Sequence, residues 1–239
     1  KQVRNIMSVN AGPNAVEDDL VFALDAANSR SYSGTGTTWS DLSGNGNHFT
    51  LTNSPTHNSA GYFNLGGTNE HIISSSTVDL SAVDAVTVEM ALAKNDSVTG
   101  MAFEHTSNWN SQAGSFGLLP NSVANVNYYA STHHTNALNF NAYNFTFANN
   151  ITDIFIVSLS WTWLNRVQTA YVNGQAVATN SQSGQATSTF SNDYFHIGSR
   201  GGTSVFSNCK VYYCKMYNRA LTAAEVAQNF NATRSRYGI

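Results

Sequence analysis

The stretch AVTVEMALA (85–93) alternates without a break: Val86, Val88, Met90 and Leu92 fall on one side, Thr87 and Glu89 on the other. A period of two is the mark of a strand with one face on a core. The same short rhythm recurs along the chain. It is seen in LVFALD (20–25), GYFNL (61–65), MAFEH (101–105), SFGLL (115–119) and ANVNYYA (124–130). It continues in DIFIVSLSWTW (153–163), VQTAYV (167–172), QAVAT (175–179), DYFHIG (193–198) and CKVYYCKMY (209–217). Gly, Asn and Ser punctuate the runs. Asn173-Gly174, between two alternating runs, predicts a tight hairpin. About a dozen short strands with regular turns predict an all-β antiparallel sandwich rather than βαβ units.

One segment has a helical period. Thr222 with Glu225 three residues on forms a capping box, Leu221 and Val226 a hydrophobic staple, and Val226 and Phe230 share a face. This predicts one short C-terminal helix lidding the sandwich. Residues 1–18 lack periodicity and read as an extended arm that a neighbour would order; residues 19–239 read as one domain.

Composition narrows the setting. Of 239 residues, 41% are hydrophobic but only 10% charged, against about 25% charged in ordinary domains. Asn, Ser, Thr and Gly carry the surface, which suits a chain outside the cytosol or in a large assembly. The net charge is −3 and the basic residues are scattered, so no nucleic-acid stripe exists. No apolar run approaches membrane-spanning length, and KQVRNIMSVNAGP has no apolar signal core. Five positions of strand separate Cys209 from Cys214, about 16 Å, so the two read as small apolar residues and not a disulfide.

Several stretches resemble laminin-G-like, concanavalin-A-like jelly-roll domains. They are LVFALDAANSRSYSGTGTTWSDLSGNGNHFTLTNSPT (20–56), GYFNLGGTNEHI (61–72), VDAVTVEMALA (83–93), VQTAYVNGQAVAT (167–179) and FSNCKVYYCKMYNRALTAAEVAQNF (206–230). The resemblance is collinear over about residues 19–236. It implies an antiparallel β-sandwich jelly roll. The style of the opening is similar to that of structural proteins of tailed phages and algal viruses. One departure is the closing strand, where Tyr212 and Tyr213 stand at positions that are acidic in many relatives.

Candidate chemistry is sparse. Glycanases on this fold place carboxylates as Glu-x-Asp-x-Glu on one strand face; here Glu89 and Glu104 each stand alone and read as solvent-facing charges. No Gly-x-Ser-x-Gly elbow occurs, GSRGG (198–202) opens no helix as a phosphate loop would, and the adjacent His133 and His134 point apart in a strand. In DLSGNGNH (41–48), Asp41, Ser43 and Asn45 have the opening spacing of a calcium loop, but Thr52 stands where its bidentate glutamate belongs. Two readings stay open there. One is a turn in which Asp41 and Ser43 bind backbone amides and Gly44 and Gly46 take positive φ; the other is a calcium ion held partly by backbone oxygens. Between 125 and 147, aromatics interleave with asparagines, among them Tyr128, Tyr129, Asn139 and Tyr143. With Trp109 these are candidate glycan contacts, against the plainer reading of core aromatics and a polar rim.

The resulting expectation is a non-enzymatic virion-surface structural or adhesive protein that requires no cofactor. Its partners would be other virion proteins or a second copy, with host glycan as a candidate ligand and no nucleic acid or membrane. A secreted carbohydrate-binding module is the alternative, and a glycoside hydrolase with an unrecognised site the third.

Overall fold

A computed structural model describes residues 13–106, 114–120, 126–133, 143–147, 153–163, 165–181 and 189–239, with only the backbone described over 126–133 and 143–147. In chain order the strands are β1 (Leu20–Asp25), β2 (Thr38–Trp39), β3 (Phe49–Thr52), β4 (Thr56–Asn58), β5 (Tyr62–Gly66) and β6 (His71–Ser74). Then come β7 (Val78–Asp79), β8 (Ala85–Lys94), β9 (Phe103–His105), β10 (Ser115–Pro120), β11 (Val126–His133) and β12 (Tyr143–Phe147). The last are β13 (Phe155–Thr162), β14 (Val167–Val172), β15 (Gln175–Ser181), β16 (Asn192–Asp193), β17 (Phe195–Ile197) and β18 (Asn208–Tyr217). Helix α1 (Ala223–Thr233) and a 3-10 turn close the chain.

Two antiparallel sheets carry almost all of this. The first runs β15-β14-β13-β8-β18-β5-β4, with β1 also on β18; the second runs β12-β11-β10-β9-β17-β6-β3-β2. The inward side of the first supplies Val86, Val88, Met90 and Leu92, as their alternation predicts, and they meet Phe49, Ile72, Phe103, Phe116 and Phe195 of the second. Phe22 packs edge-on against Phe49 at 4.9 Å and Phe195 at 5.1 Å. Each such contact contributes about 0.5–1.5 kcal/mol beyond the area it buries. Trp161 and Trp163 are buried as well. The fold is an all-β antiparallel sandwich with a short terminal helix.

β18 departs from simple alternation. Its register to β8 shifts between Val211 and Tyr213, a bulge that places two consecutive tyrosines on the outer face. Cys209 and Cys214, five apart, would face opposite ways in a regular strand. The bulge returns both to the core, where they are buried free thiols.

Helix α1 covers the outer face of the first sheet. Thr222 Oγ1 accepts from the Glu225 amide and Glu225 reaches back to the Thr222 amide, completing the capping box. Arg219 grips the same carboxylate at 2.7 and 2.9 Å, and the charge partner draws its pKa down to about 2. Leu221 and Val226 pack on Tyr171 and Tyr217, while Phe230 and Tyr237 pack near Ala91, Ile156 and Tyr213. The predicted hairpin forms at Asn173 (φ 48°) and Gly174 (φ 77°); a Cβ on Gly174 would come within 2.9 Å of the Phe230 ring, so the turn also admits the helix.

The arm is ordered by its own domain where it is described. The Val16 amide donates to Asn229 Oδ1 at 2.8 Å, its carbonyl accepts from the Tyr217 hydroxyl at 3.0 Å, and Gln228 donates to the Asn14 carbonyl at 2.7 Å.

Candidate functional site

With helix, arm and C-terminus packed on the first sheet, the outer face of the second sheet is left to consider. Across it Gly117 of β10, Glu104 of β9, His196 of β17, Ile73 of β6 and Thr50 of β3 stand in one row. Their strand neighbours Phe103, Phe195, Ile197 and Ile72 point into the core, so strand alternation puts this row outside. A Cβ on Gly117 would come within 2.8 Å of the Phe103 carbonyl and 3.0 Å of Glu104 Cβ. The glycine makes room for the carboxylate.

The 198–206 segment crosses over this row. Glu104 Oε1 accepts from the Gly201 amide, and Arg200 Nε lies 3.7 Å from Oε2. Gly201 and Gly202 both take positive φ, and a Cβ on Gly202 would approach His71 Nε2 at 3.0 Å. Two glycines are thus needed for the crossing. Glu104 is 0% exposed. Burial pushes its pKa from an ordinary 4.5 up to about 7, only partly opposed by the Gly201 amide and Arg200. His196 moves the other way, from 6.5 down to about 4, through burial and the proximity of His71 and His105. Its Nδ1 has no hydrogen-bond partner among the described residues. Enclosed as it is, Glu104 anchors the crossing segment.

Two expectations are corrected here. Glu89 and Glu104 do not face solvent; both are fully buried. Glu89 accepts from Ser158 Oγ at 3.1 Å and the Tyr213 hydroxyl at 3.0 Å, with Lys215 Nζ 3.7 Å away. Tyr213, one of the two tyrosines in the closing strand, therefore serves Glu89. The two glutamates lie on the outer faces of different sheets, about 10 Å of core between them, and cannot share one substrate bond.

The strands that carry the candidate tyrosines, β11 and β12, belong to the second sheet. Tyr129 of β11 stands opposite Leu119 and Asn144, Tyr128 opposite Pro120 and Phe145, and Tyr143 of β12 opposite Ala130. Trp109, Asn139 and His134 lie outside the described residues; His133 ends β11 opposite Ser115.

The Asp41 loop is a hydrogen-bonded turn tied to β1. Asp41 Oδ1 accepts from the Ala23 and Ser43 amides, both at 2.8 Å, and Oδ2 from Ser43 Oγ at 2.7 Å and the Asn47 amide at 3.1 Å. The Asn45 amide donates to Ser43 Oγ at 3.2 Å. Asn45 Nδ2 donates to the Leu20 carbonyl at 2.7 Å, and Gly44 (φ 91°) and Gly46 (φ 77°) bend the loop. No cluster of three or more His, Cys, Asp or Glu side chains among the described residues could hold a metal ion.

His196, Arg200 and Gly201 are site residues the sequence reading missed. The signal available was Gly-Ser-Arg-Gly-Gly directly after an alternating strand, which marks a close crossing of the backbone.

No protein-family model matches the sequence, and no curated protein does. Solved structures do resemble the fold. A Trypanosoma rangeli sialidase in complex with sialic acid superposes with a TM-score of 0.68 at 16% identity, over 91% of this chain and 33% of the sialidase. The same sialidase with a difluorosialic acid gives 0.67 at 16% identity, over 98% and 36%. The receptor binding domain of a botulinum neurotoxin C/D mosaic serotype gives 0.67 at 10% identity, over 90% and 51%. The chain thus spans about a third of the sialidase chains and half of the neurotoxin chain. These neighbours overturn the expectation of a non-enzymatic chain. The fold occurs within sialidases, so a missing Glu-x-Asp-x-Glu run excludes one catalytic arrangement and not catalysis.

Proposed function

We propose that this chain is a glycan-recognition domain of the laminin-G-like, concanavalin A-like class, binding on the outer face of the second sheet toward β10, β11 and β12. The observation that carries the reading is the asymmetry of the sandwich. Helix α1, the arm and the C-terminal residues pack on the first sheet, and β11 and β12, which carry the candidate tyrosines, belong to the second. Aromatic rings interleaved with amides are the chemistry that holds sugar rings. The likeness to a sialidase bound to sialic acid and to a toxin's receptor binding domain supports the same class of ligand. The test is a glycan array with wild type, Tyr129→Ala and Asn144→Ala, two positions in the outer register row with Leu119, each checked for an unchanged melting temperature. Wild type is expected to retain a defined glycan set that the variants lose. An array without hits for the folded wild type rejects the reading.

Glycoside hydrolysis is the second reading, supported by the likeness of the fold to sialidases. Release of free sugar from the array hits by the folded wild type would support it; intact glycans after long incubation would reject it. Placement on a virion surface, with other virion proteins or a second copy as partner, rests on the resemblance of residues 20–56. Co-purification with particles tests it against secretion.

A further inference from the structure

A cleft of about 300 Å³ lies on the other side of the molecule, where the arm meets β1 and β18. Ala15, Val16 and Leu20 line it together with Leu42. Arg30 and Lys215 supply its positive charge and Glu17 its negative charge. The volume sits at the small end of the range for ligand sites, about 300–1,000 Å³, and fits one ring rather than a chain.

Lys215 is the informative residue. Its side chain is only 15% exposed, yet the ammonium is 3.7 Å from Glu89 and 5.1 Å from the Tyr213 ring centroid. Neither is a hydrogen bond. Glu89 already accepts from Ser158 and Tyr213. An ammonium has three donors, and among the described residues none of them meets an acceptor. The Arg30 guanidinium is exposed at the mouth and has no ion-pair partner among the described residues. Two cations, one of them also ion-paired with Glu89, therefore border one small cleft that Val16, Leu20, Ala23 and Leu42 line as well.

We propose that this cleft binds an acidic monosaccharide, its carboxylate received by Arg30 and Lys215 and the C–H face of its ring laid against Val16, Leu20 and Leu42. Paired cations select a carboxylate; an apolar wall beside them selects a ring over a bare ion. Glu17 at the rim accepts from ring hydroxyls and disfavours ligands of higher negative charge. This site is separate from the sheet face argued above and stands or falls without it.

The test is calorimetric titration of the full chain with N-acetylneuraminate and glucuronate, with glucose, acetate and inorganic phosphate as comparators. An acidic sugar is expected to bind saturably, and glucose and acetate at least about tenfold more weakly, the worth of one charge-assisted contact. Arg30→Ala, an exposed position that leaves the fold intact, is expected to weaken binding by about tenfold or more. Lys210→Ala removes an equal charge away from the cleft and is expected to leave binding unchanged. The proposal is overturned if neither acidic sugar binds, if Arg30→Ala binds as wild type does, or if Lys210→Ala weakens binding equally. Phosphate or acetate binding as well as the sugar overturns the ligand class.

Discussion

Glu104 and His196 face each other across β9 and β17, and their protons respond to pH in opposite senses. The folded state raises the Glu104 pKa from 4.5 to about 7. Between those values the folded chain keeps a proton that the unfolded chain has lost, so this group's contribution falls as pH rises. Over the window the loss is about 3 kcal/mol, at about 1.4 kcal/mol per pKa unit. His196 drops from 6.5 to about 4. Between those values the unfolded chain takes up a proton that the folded chain refuses, so its contribution falls as pH drops, again by about 3 kcal/mol. The windows overlap from about pH 4.5 to 6.5, and there the two slopes oppose one another. Single substitutions should separate them. Glu104→Gln leaves His196 and should make stability rise with pH relative to wild type. His196→Gln leaves Glu104 and should make it fall. Urea unfolding followed by tryptophan fluorescence, in half-unit steps from pH 4.5 to 7.5, measures both. Subtracting wild type removes the contribution of every group the substitution does not disturb. Two variant curves running parallel to wild type would refute the reasoning.

Asn229→Ala strands the Val16 amide and one hydrogen bond to Tyr217 inside the arm–helix contact; it should cost about 1–3 kcal/mol in urea unfolding. Thr222→Ala removes the cap and should cost about 1 kcal/mol, with Thr222→Ser restoring most of it. Asp41→Ala breaks four hydrogen bonds tying the loop to itself and to β1, and should lower the melting temperature by the same amount in calcium as in chelator. A larger loss in calcium would show that the loop holds an ion.

Local signals in the sequence translated well. The capping box at Thr222 and Glu225 and the Asn173-Gly174 turn depend on residues one to three apart, and both formed. The alternation in 85–93 identified which side of β8 meets the core. It could not reveal that Glu89, on the other side, is buried too, because its partners Ser158, Tyr213 and Lys215 come from strands far along the chain. Misreading Glu104 had the same origin. Its partners Gly117, His196 and Gly201 arrive from three separate segments. The bulge in β18 needs only one extra residue and leaves no mark on composition, so the inward return of Cys214 was illegible. Docking of Val16 on Asn229 joins positions 213 apart. The candidate aromatic strands fell together because they are consecutive hairpin partners, the one long-range arrangement that sequence order itself implies.

The central claim is that the face opposite helix α1 receives a sugar. Hydrogen–deuterium exchange with and without a saturating array-selected glycan tests it most directly. The account predicts new protection in peptides covering 115–147 and 199–206, with α1 unchanged. Protection confined to 221–239 and the outer side of β8 and β18, or none under saturation, would contradict it.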